Sequence, residues 1–260
     1  MPLKAILFDL DETLTMHERP FEEAYLEVCL TPAIRHGLEA SRIVVAQHEA
    51  ARRICDRMKS RPFLQRIGIG ARDILWGDPA GDSPDLRLLA QEIPDFRRVI
   101  WGEALTAFKI IDEALAVHMA ATFPVLMRQR IKAYPDAAPL MESLAAGRYK
   151  TGLVTNGLPA AQDDKLKLSG LAGMFDAVSI SGEVGAGKPD RAIFEDTLRK
   201  LAVSPEEAVY IGDRPERDIE GAHRMGIRSV WLNRYGETLG PNSPRPDAEI
   251  ASLSELPALL

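Results

Sequence analysis

Ala5-Ile6-Leu7-Phe8-Asp9-Leu10-Asp11-Glu12-Thr13 is an apolar run that ends in two aspartates one residue apart. A short apolar run bounded this way reads as a buried strand. Residues two apart on a strand point to the same side, so Asp9 and Asp11 would meet at its carboxyl end. Like charges repel there, and taking them out of water is costly. An acidic turn after a strand is one reading of the pair; a cation site or a reaction centre is the other.

Outward from this strand the chain changes character twice. Between residues 21 and 129 the pattern is almost wholly helical, with apolar residues at helical spacing over 22–35, 41–58 and 101–130. Residues 60–94 hold most of the Gly and Pro of this block and read as loops with short helices. After Tyr134-Pro135-Asp136 helices and strands alternate. Helices are expected over 137–146, 160–169, 191–201 and 217–225, and strands over 151–154, 177–180, 208–211 and 229–232. Alternation of this kind gives an α/β fold, a three-layer Rossmann-like core whose parallel sheet is covered on both faces. The first strand belongs to that sheet, so the helical block is an insertion after it. The expected organisation is a core of residues 1–16 and 134–260 with an all-helical cap domain, 17–133, carried on two linkers. Asp9, Asp11, Thr155, Asn156 and Asp213 all fall at carboxyl ends of strands, the edge where open α/β sheets bind ligands.

A chain of 260 residues can bury a sizeable core. Its net charge of −6 argues against a broad nucleic-acid-binding surface. Two cysteines, Cys29 and Cys55, lack metal-type spacing and fit a reduced, cytoplasmic protein. No apolar run approaches the roughly 18 residues of a membrane span, and no secretory signal is expected. The five histidines are scattered, with His17 nearest the expected site entrance. Arg52-Arg53 and Arg128 with Arg130 read as solvated helix faces, and Trp76 and Trp101 as cap core or pocket lining.

Four ordered signatures carry a resemblance: Asp9-Leu10-Asp11-Glu12-Thr13, Val154-Thr155-Asn156-Gly157, Gly187-Lys188-Pro189-Asp190, and Gly212-Asp213-Arg214-Pro215-Glu216-Arg217-Asp218. Together they resemble the haloacid dehalogenase superfamily, in its phosphatase-like branch with a helical cap. The resemblance covers the core and leaves the cap unconstrained. It implies that Asp9 attacks phosphorus and forms an aspartyl-phosphate, and that Asp11 acts as general acid and then base. A carboxylate held in line with a phosphoryl group can split one displacement into two, and a second carboxyl beside it suits proton transfer. Thr13 would supply a hydroxyl that orients Asp11. Thr155, Asn156 and Gly157 would bind phosphate oxygens, although a threonine after a strand is equally a helix cap.

The resemblance further implies that Lys188 neutralises the nucleophile and the phosphoryl oxygens. The run Gly182 to Lys188 also has P-loop spacing, but Pro189 stands where a Mg²⁺-binding Ser or Thr is needed. Mg²⁺ would be held by Asp9, Asp213 and the backbone carbonyl of Asp11. Asp218 would hold Lys188 or a water beside the metal, or else serve only the start of its helix. The implied function is Mg²⁺-dependent hydrolysis of a small phosphorylated metabolite. A phosphomutase shares all four signatures. A haloacid dehalogenase typically replaces the second aspartate, and a non-catalytic phosphometabolite-binding module would be expected to lose a catalytic group.

Overall fold

The computed structural model describes residues 2–147 and 149–260. The first strand, β1 (Ala5–Phe8), is wholly buried. Ile6 and Phe8 enter one hydrophobic cluster, and Ala5 and Leu7 enter a second on the opposite face. A strand whose alternate residues are both buried must lie inside a sheet covered on each side. The insertion that follows holds β2 (Thr15–Met16), six helices and β3 (Lys132–Ala133). The helices are α1 (Glu18–His36), α2 (Ala40–Cys55), α3 (Arg61–Arg66), α4 (Ala71–Trp76), α5 (Pro84–Thr106) and α6 (Glu113–Arg130). The core resumes with α7 (Ala137–Ala145), β4 (Lys150–Thr155), α8 (Pro159–Leu168), β5 (Ala177–Ile180), α9 (Ser181–Val184) and α10 (Arg191–Leu201). It closes with β6 (Ala208–Gly212), α11 (Glu220–Met225), β7 (Arg228–Leu232) and β8 (Ala248–Ile250).

The six core strands pair in parallel in the order β5-β4-β1-β6-β7-β8. After β1 the chain builds outward through β4 and β5, then crosses back to build the other side from β6. The reversal leaves a crevice at the carboxyl end of β1, where doubly wound sheets take their ligands. Phe8 pairs with Leu153 of β4 and Ile211 of β6, and the ladder reaches Asp9, whose N–H donates to the Ile211 carbonyl at 2.9 Å.

The insertion has its own hydrophobic cluster, centred on Phe21, Tyr25, Trp76, Trp101 and Phe123 and joined by Leu158 and Ala161 near the start of α8. Trp76 and Trp101 are therefore core residues rather than pocket lining. The chain enters through β2 and leaves through β3, which pair antiparallel, Thr15 opposite Ala133. Glu12 clasps this neck. Its Oε1 accepts from the His17 and Glu18 N–H groups, and its Oε2 accepts from the Tyr134 and Tyr235 hydroxyls.

Two expectations for the insertion are corrected. The helical pattern over 101–130 is two helices, because the chain turns between Thr106 and Glu113 and Asp112 caps the second, Oδ1 accepting from Leu115 N–H at 2.9 Å. The expected loop over 60–94 contains the first half of α5, which starts at a Ser83 cap followed by Pro84 and continues through Pro94. Burial of Leu86, Leu89, Ile93, Phe96, Ile100 and Trp101 along one helix outweighs the proline penalty. In the core, the expected helix over 217–225 is a π-helical turn, Pro215–Ile219, followed by α11. The sequence pattern also missed β8 and the β2–β3 ribbon. Among the described residues, no helix is long and apolar enough to cross a membrane. Cys29 and Cys55 are free, buried thiols that burial pushes up to about 12 and about 11.

Candidate active site

The crevice opens into a cavity of about 400 Å³ whose wall includes Asp9, Asp11, Asn156, Lys188, Asp213 and Asp218 from the core. Glu18, Gly68, Ile69, Arg72 and Asp73 line it from the insertion. Asp9, Asp11, Asn156 and Asp213 arrive from the end of a strand or the turn after it. Asp9 leaves β1 and Asp213 leaves β6, its neighbour in the sheet. Lys188 reaches in from the loop before α10, whose Asp190 caps the Ala192 N–H.

Lys188 Nζ is the centre of the buried part. It donates to Asp9 Oδ1 at 2.5 Å, to Asp218 Oδ1 at 2.8 Å and to the Tyr210 hydroxyl at 3.0 Å. Burial disfavours this ammonium, but Asp218 and Asp9 more than offset that and hold its pKa above the ordinary lysine value. Asp9 is pushed up to about 6, chiefly by burial, with Lys188 opposing and Asp218 and Asp11 adding to the rise. Asp213 is raised well above the carboxylate range by burial together with Asp218 and Asp9. Its ion-pair partner Arg214 lies 3.4 Å away.

Asp9, Asp213 and Asp218 can each offer an oxygen within 4.8 Å of the others. Oxygen donors at this density suit a hard divalent cation, and the three carboxylates share a single lysine, which pairs with Asp9 and Asp218. The residues present therefore fit a bound metal ion. Asp218 is the least available of the three. Its Oδ1 takes Lys188 and Tyr210, and its Oδ2 accepts the Arg214 N–H at 2.8 Å. The Asp11 carboxylate lies outside this cluster.

Asp11 is instead bound from below by α8. Lys165 Nζ donates to its Oδ2 at 2.6 Å and Gln162 Nε2 approaches the same oxygen at 3.4 Å. His17 Nδ1 lies 3.7 Å from Oδ1. Burial alone would raise this carboxyl, but Lys165 and His17 outweigh it and bring the pKa down to about 2.

The remaining expected groups divide. Asn156 lines the cavity, but its amide holds the lysine loop, Oδ1 accepting Lys188 N–H and Nδ2 donating to the Lys188 carbonyl. Thr155 is buried, its hydroxyl accepting from Gln162 Nε2 at 2.5 Å. The Gly157 N–H is committed to Ser181 Oγ at 2.9 Å. Neither reaches the cavity wall. The Thr13 hydroxyl is buried without a hydrogen-bond partner among the described residues. Thr15 stands where Thr13 was expected, 3.5 Å from Asp11 Oδ1. The tight turn after β1, in which the Leu14 and Thr15 N–H groups both donate to the Leu10 carbonyl, sends Thr13 into the core and brings Thr15 back.

Sequence reasoning missed Gln162, Lys165, Arg72 and Glu12. Gln162 and Lys165 share a helix face at the i, i+3 spacing, a pattern that carries no chemistry until the helix is placed. Arg128 is not a solvated face either: it donates to Asp164 of α8 at 2.9 Å and to Asp78 at 2.7 Å.

A parallel-sheet core with a helical insertion after its first strand, and carboxylates and a lysine at the strand ends, defines a class of Rossmann-like hydrolases. The chain belongs to one family within that class: a model of haloacid dehalogenase-like hydrolases matches residues 3–226. It is 36% identical over 256 residues to a protein of Thermus thermophilus named phosphoserine phosphatase, covering 98% of each chain. It is 32% identical over 241 residues to a glyceraldehyde 3-phosphate phosphatase of Methanopyrus kandleri, covering 89% of this chain and 84% of that protein. A solved structure from Pseudomonas syringae, titled a 2-haloacid dehalogenase, superposes with a TM-score of 0.63 at 26% identity, over 99% of this chain and 97% of the other.

Proposed function

We propose that this protein is a Mg²⁺-dependent phosphomonoesterase that works through an aspartyl-phosphate on Asp9, and that residues 17–133 act as a cap domain over the core of 1–16 and 134–260. The observation that carries the reading is the pairing of Asp9 with Lys188 at 2.5 Å, in a cavity where Asp213 can offer an oxygen within 4.8 Å of Asp9. Asp9 and Asp213, with the Asp11 carbonyl, would hold the metal. Bound there, the ion supplies charge stabilisation for phosphoryl oxygens.

Asp9 attacks phosphorus, the bond to the ester oxygen breaks, and that oxygen takes a proton from Asp11. Water then attacks phosphorus, returns a proton to Asp11 and releases Asp9 and phosphate. Lys188 neutralises Asp9 and the phosphoryl oxygens throughout. Before substrate binds, Asp11 is ionised, with a pKa of about 2; a phosphate group arriving beside it raises that value by like charge, and the proton that Asp11 passes to the ester oxygen is taken up on binding, from water or from a monoanionic phosphate. An acid poised for a leaving oxygen favours phosphate esters over halides, which need no proton to depart.

The leaving group would meet Glu18, Arg72 and Asp73, charges of both signs, and phosphoserine is the first substrate to try given the named Thermus relative. A cytoplasmic location fits such a metabolite. The decisive experiment is acid-quench labelling with a ³²P-labelled aryl phosphate and Mg²⁺. Asp11→Asn should accumulate protein-bound label, and Asp9→Asn should hold none and lose about 10³-fold or more in turnover. Chelator should remove activity from the wild type. Turnover by a verified Asp9→Asn protein, or full activity after metal stripping, would refute the reading.

A further inference from the structure

We infer that Lys165, with Gln162, is a positioning residue for the proton-transfer carboxylate Asp11, an inference that rests on the phosphomonoesterase reading. Lys165 is buried on α8, and its Nζ meets Asp11 Oδ2 at 2.6 Å. One turn earlier, Gln162 Nε2 reaches the same oxygen at 3.4 Å, the Thr155 hydroxyl at 2.5 Å and the Asn156 carbonyl at 3.3 Å. Asp11 lies on the turn after β1, and a carboxylate on a turn has several rotamers open to it. Two donors from a packed helix select one of them. The cost of the buried ammonium is met by the carboxylate it binds, so the two side chains fix each other.

The place of α8 adds a second role. Trp76 of the insertion lies over Lys165, with Nζ 5.3 Å from the ring centroid. The neighbouring Asp164 accepts from Arg128 of α6. A site for Cβ at Gly77 would meet Ala161 Cβ at 2.9 Å, so the two backbones approach closely there. The helix that aims Asp11 is thus also a seat of the helical insertion. Lys165 touches both the insertion, through Trp76, and the Asp11 carboxylate.

The test separates positioning from mere structure by the leaving group. An alkyl ester such as phosphoserine needs its oxygen protonated as it departs, whereas p-nitrophenolate leaves unaided. Lys165→Met should lower kcat/KM for phosphoserine by about 100-fold. For p-nitrophenyl phosphate, kcat/KM should stay within about threefold while kcat and KM fall together, because hydrolysis of the phospho-enzyme still needs Asp11. In the Asp11→Asn background Lys165→Met should change neither ester further. Should Lys165→Met melt below assay temperature, Lys165→Gln carries the same comparison. Equal loss of kcat/KM on both esters, unchanged phosphoserine turnover, or additive effects with Asp11→Asn would overturn the inference. Wild-type hydrolysis of p-nitrophenyl phosphate tests the underlying reading separately; a wild type inert to both esters would overturn both.

Discussion

At the scale of single residues the site is a balance of buried charge. Four carboxylates, Asp9, Asp11, Asp213 and Asp218, face two lysines, and the lysines divide them. Lys188 serves Asp9 and Asp218, Lys165 serves Asp11, and among the described residues Asp213 keeps only the longer contact to Arg214. A half-buried pair outside the site gives a measurable pH signature. Both oxygens of Asp136 accept from Arg234 at 2.9 Å, and Oδ2 also takes the Ser252 hydroxyl and the Leu253 N–H. Burial pushes this carboxyl up, but Arg234 and these donors outweigh it and leave its pKa below the ordinary value. A depressed acid contributes stability that is complete above its unfolded pKa, near 4, and is lost as pH falls through the folded value. Asp136→Asn should therefore cost about 2 kcal/mol at pH 7, and the gap to wild type should shrink below pH 4. Urea melts of both proteins across that range would show it; a gap that widens in acid would contradict the assignment.

At the scale of elements, the sequence yielded the core because its signals are local. The alternation of apolar strand and amphipathic helix is written in consecutive residues, and β5 and α10 begin and end where the pattern predicts. The insertion was legible only as helical. Pro94 breaks the local signal for α5, and the packing that overrides it comes from distant helices. The site follows the same division. Asp9, Lys188 and Asp213 stand in short motifs, whereas Lys165 and Gln162 gain meaning only when α8 is laid beside β1. Thr13 faces the core and Thr15 comes beside Asp11 because the Leu14 and Thr15 N–H groups close the turn after β1 on the Leu10 carbonyl.

Gly212 shows an element fixing a side chain across the sheet edge. It ends β6, and a Cβ there would overlap the carboxyl of Asp218. That carboxyl holds Lys188 together with Asp9. Gly212→Ala should leave the strand formed but push Asp218 from Lys188, lowering kcat/KM for aryl and alkyl esters alike by about tenfold or more. Circular dichroism that stays native beside that loss would confirm the cause, while wild-type kinetics would show that the bracing is dispensable.

At the scale of the whole molecule, the core supplies Asp9, Asp11, Lys188 and Asp213 to the cavity wall and the insertion completes it. Arg72 lines the cavity from the insertion, where it is held by donating to Glu18 at 3.0 Å and by stacking 4.3 Å from the Phe21 ring centroid. Binding energy from the part of a substrate that does not react can favour the reactive, enclosed state. Arg72→Met should then change kcat/KM by different factors for phosphoserine, glyceraldehyde 3-phosphate and p-nitrophenyl phosphate, with the aryl ester responding least. Uniform loss on all three would place recognition in the core loops.

The neck formed by β2 and β3 also bears on how this chain reaches its shape. Phe8 and its partner Leu153 are separated by roughly 145 residues, and bringing such remote strands together costs loop-closure entropy. Once Thr15 has paired with Ala133, the long excursion is already tied off, and the loop left to close between β1 and β4 is only roughly 25 residues. The saving is about 1.5 kcal/mol on a logarithmic dependence of closure entropy on length. The helical excursion, rich in contacts near in sequence, can assemble early and quickly. Its closure at the neck then delivers the two halves of the sheet to each other, so the insertion that shapes the cavity also acts as an internal guide for folding the core.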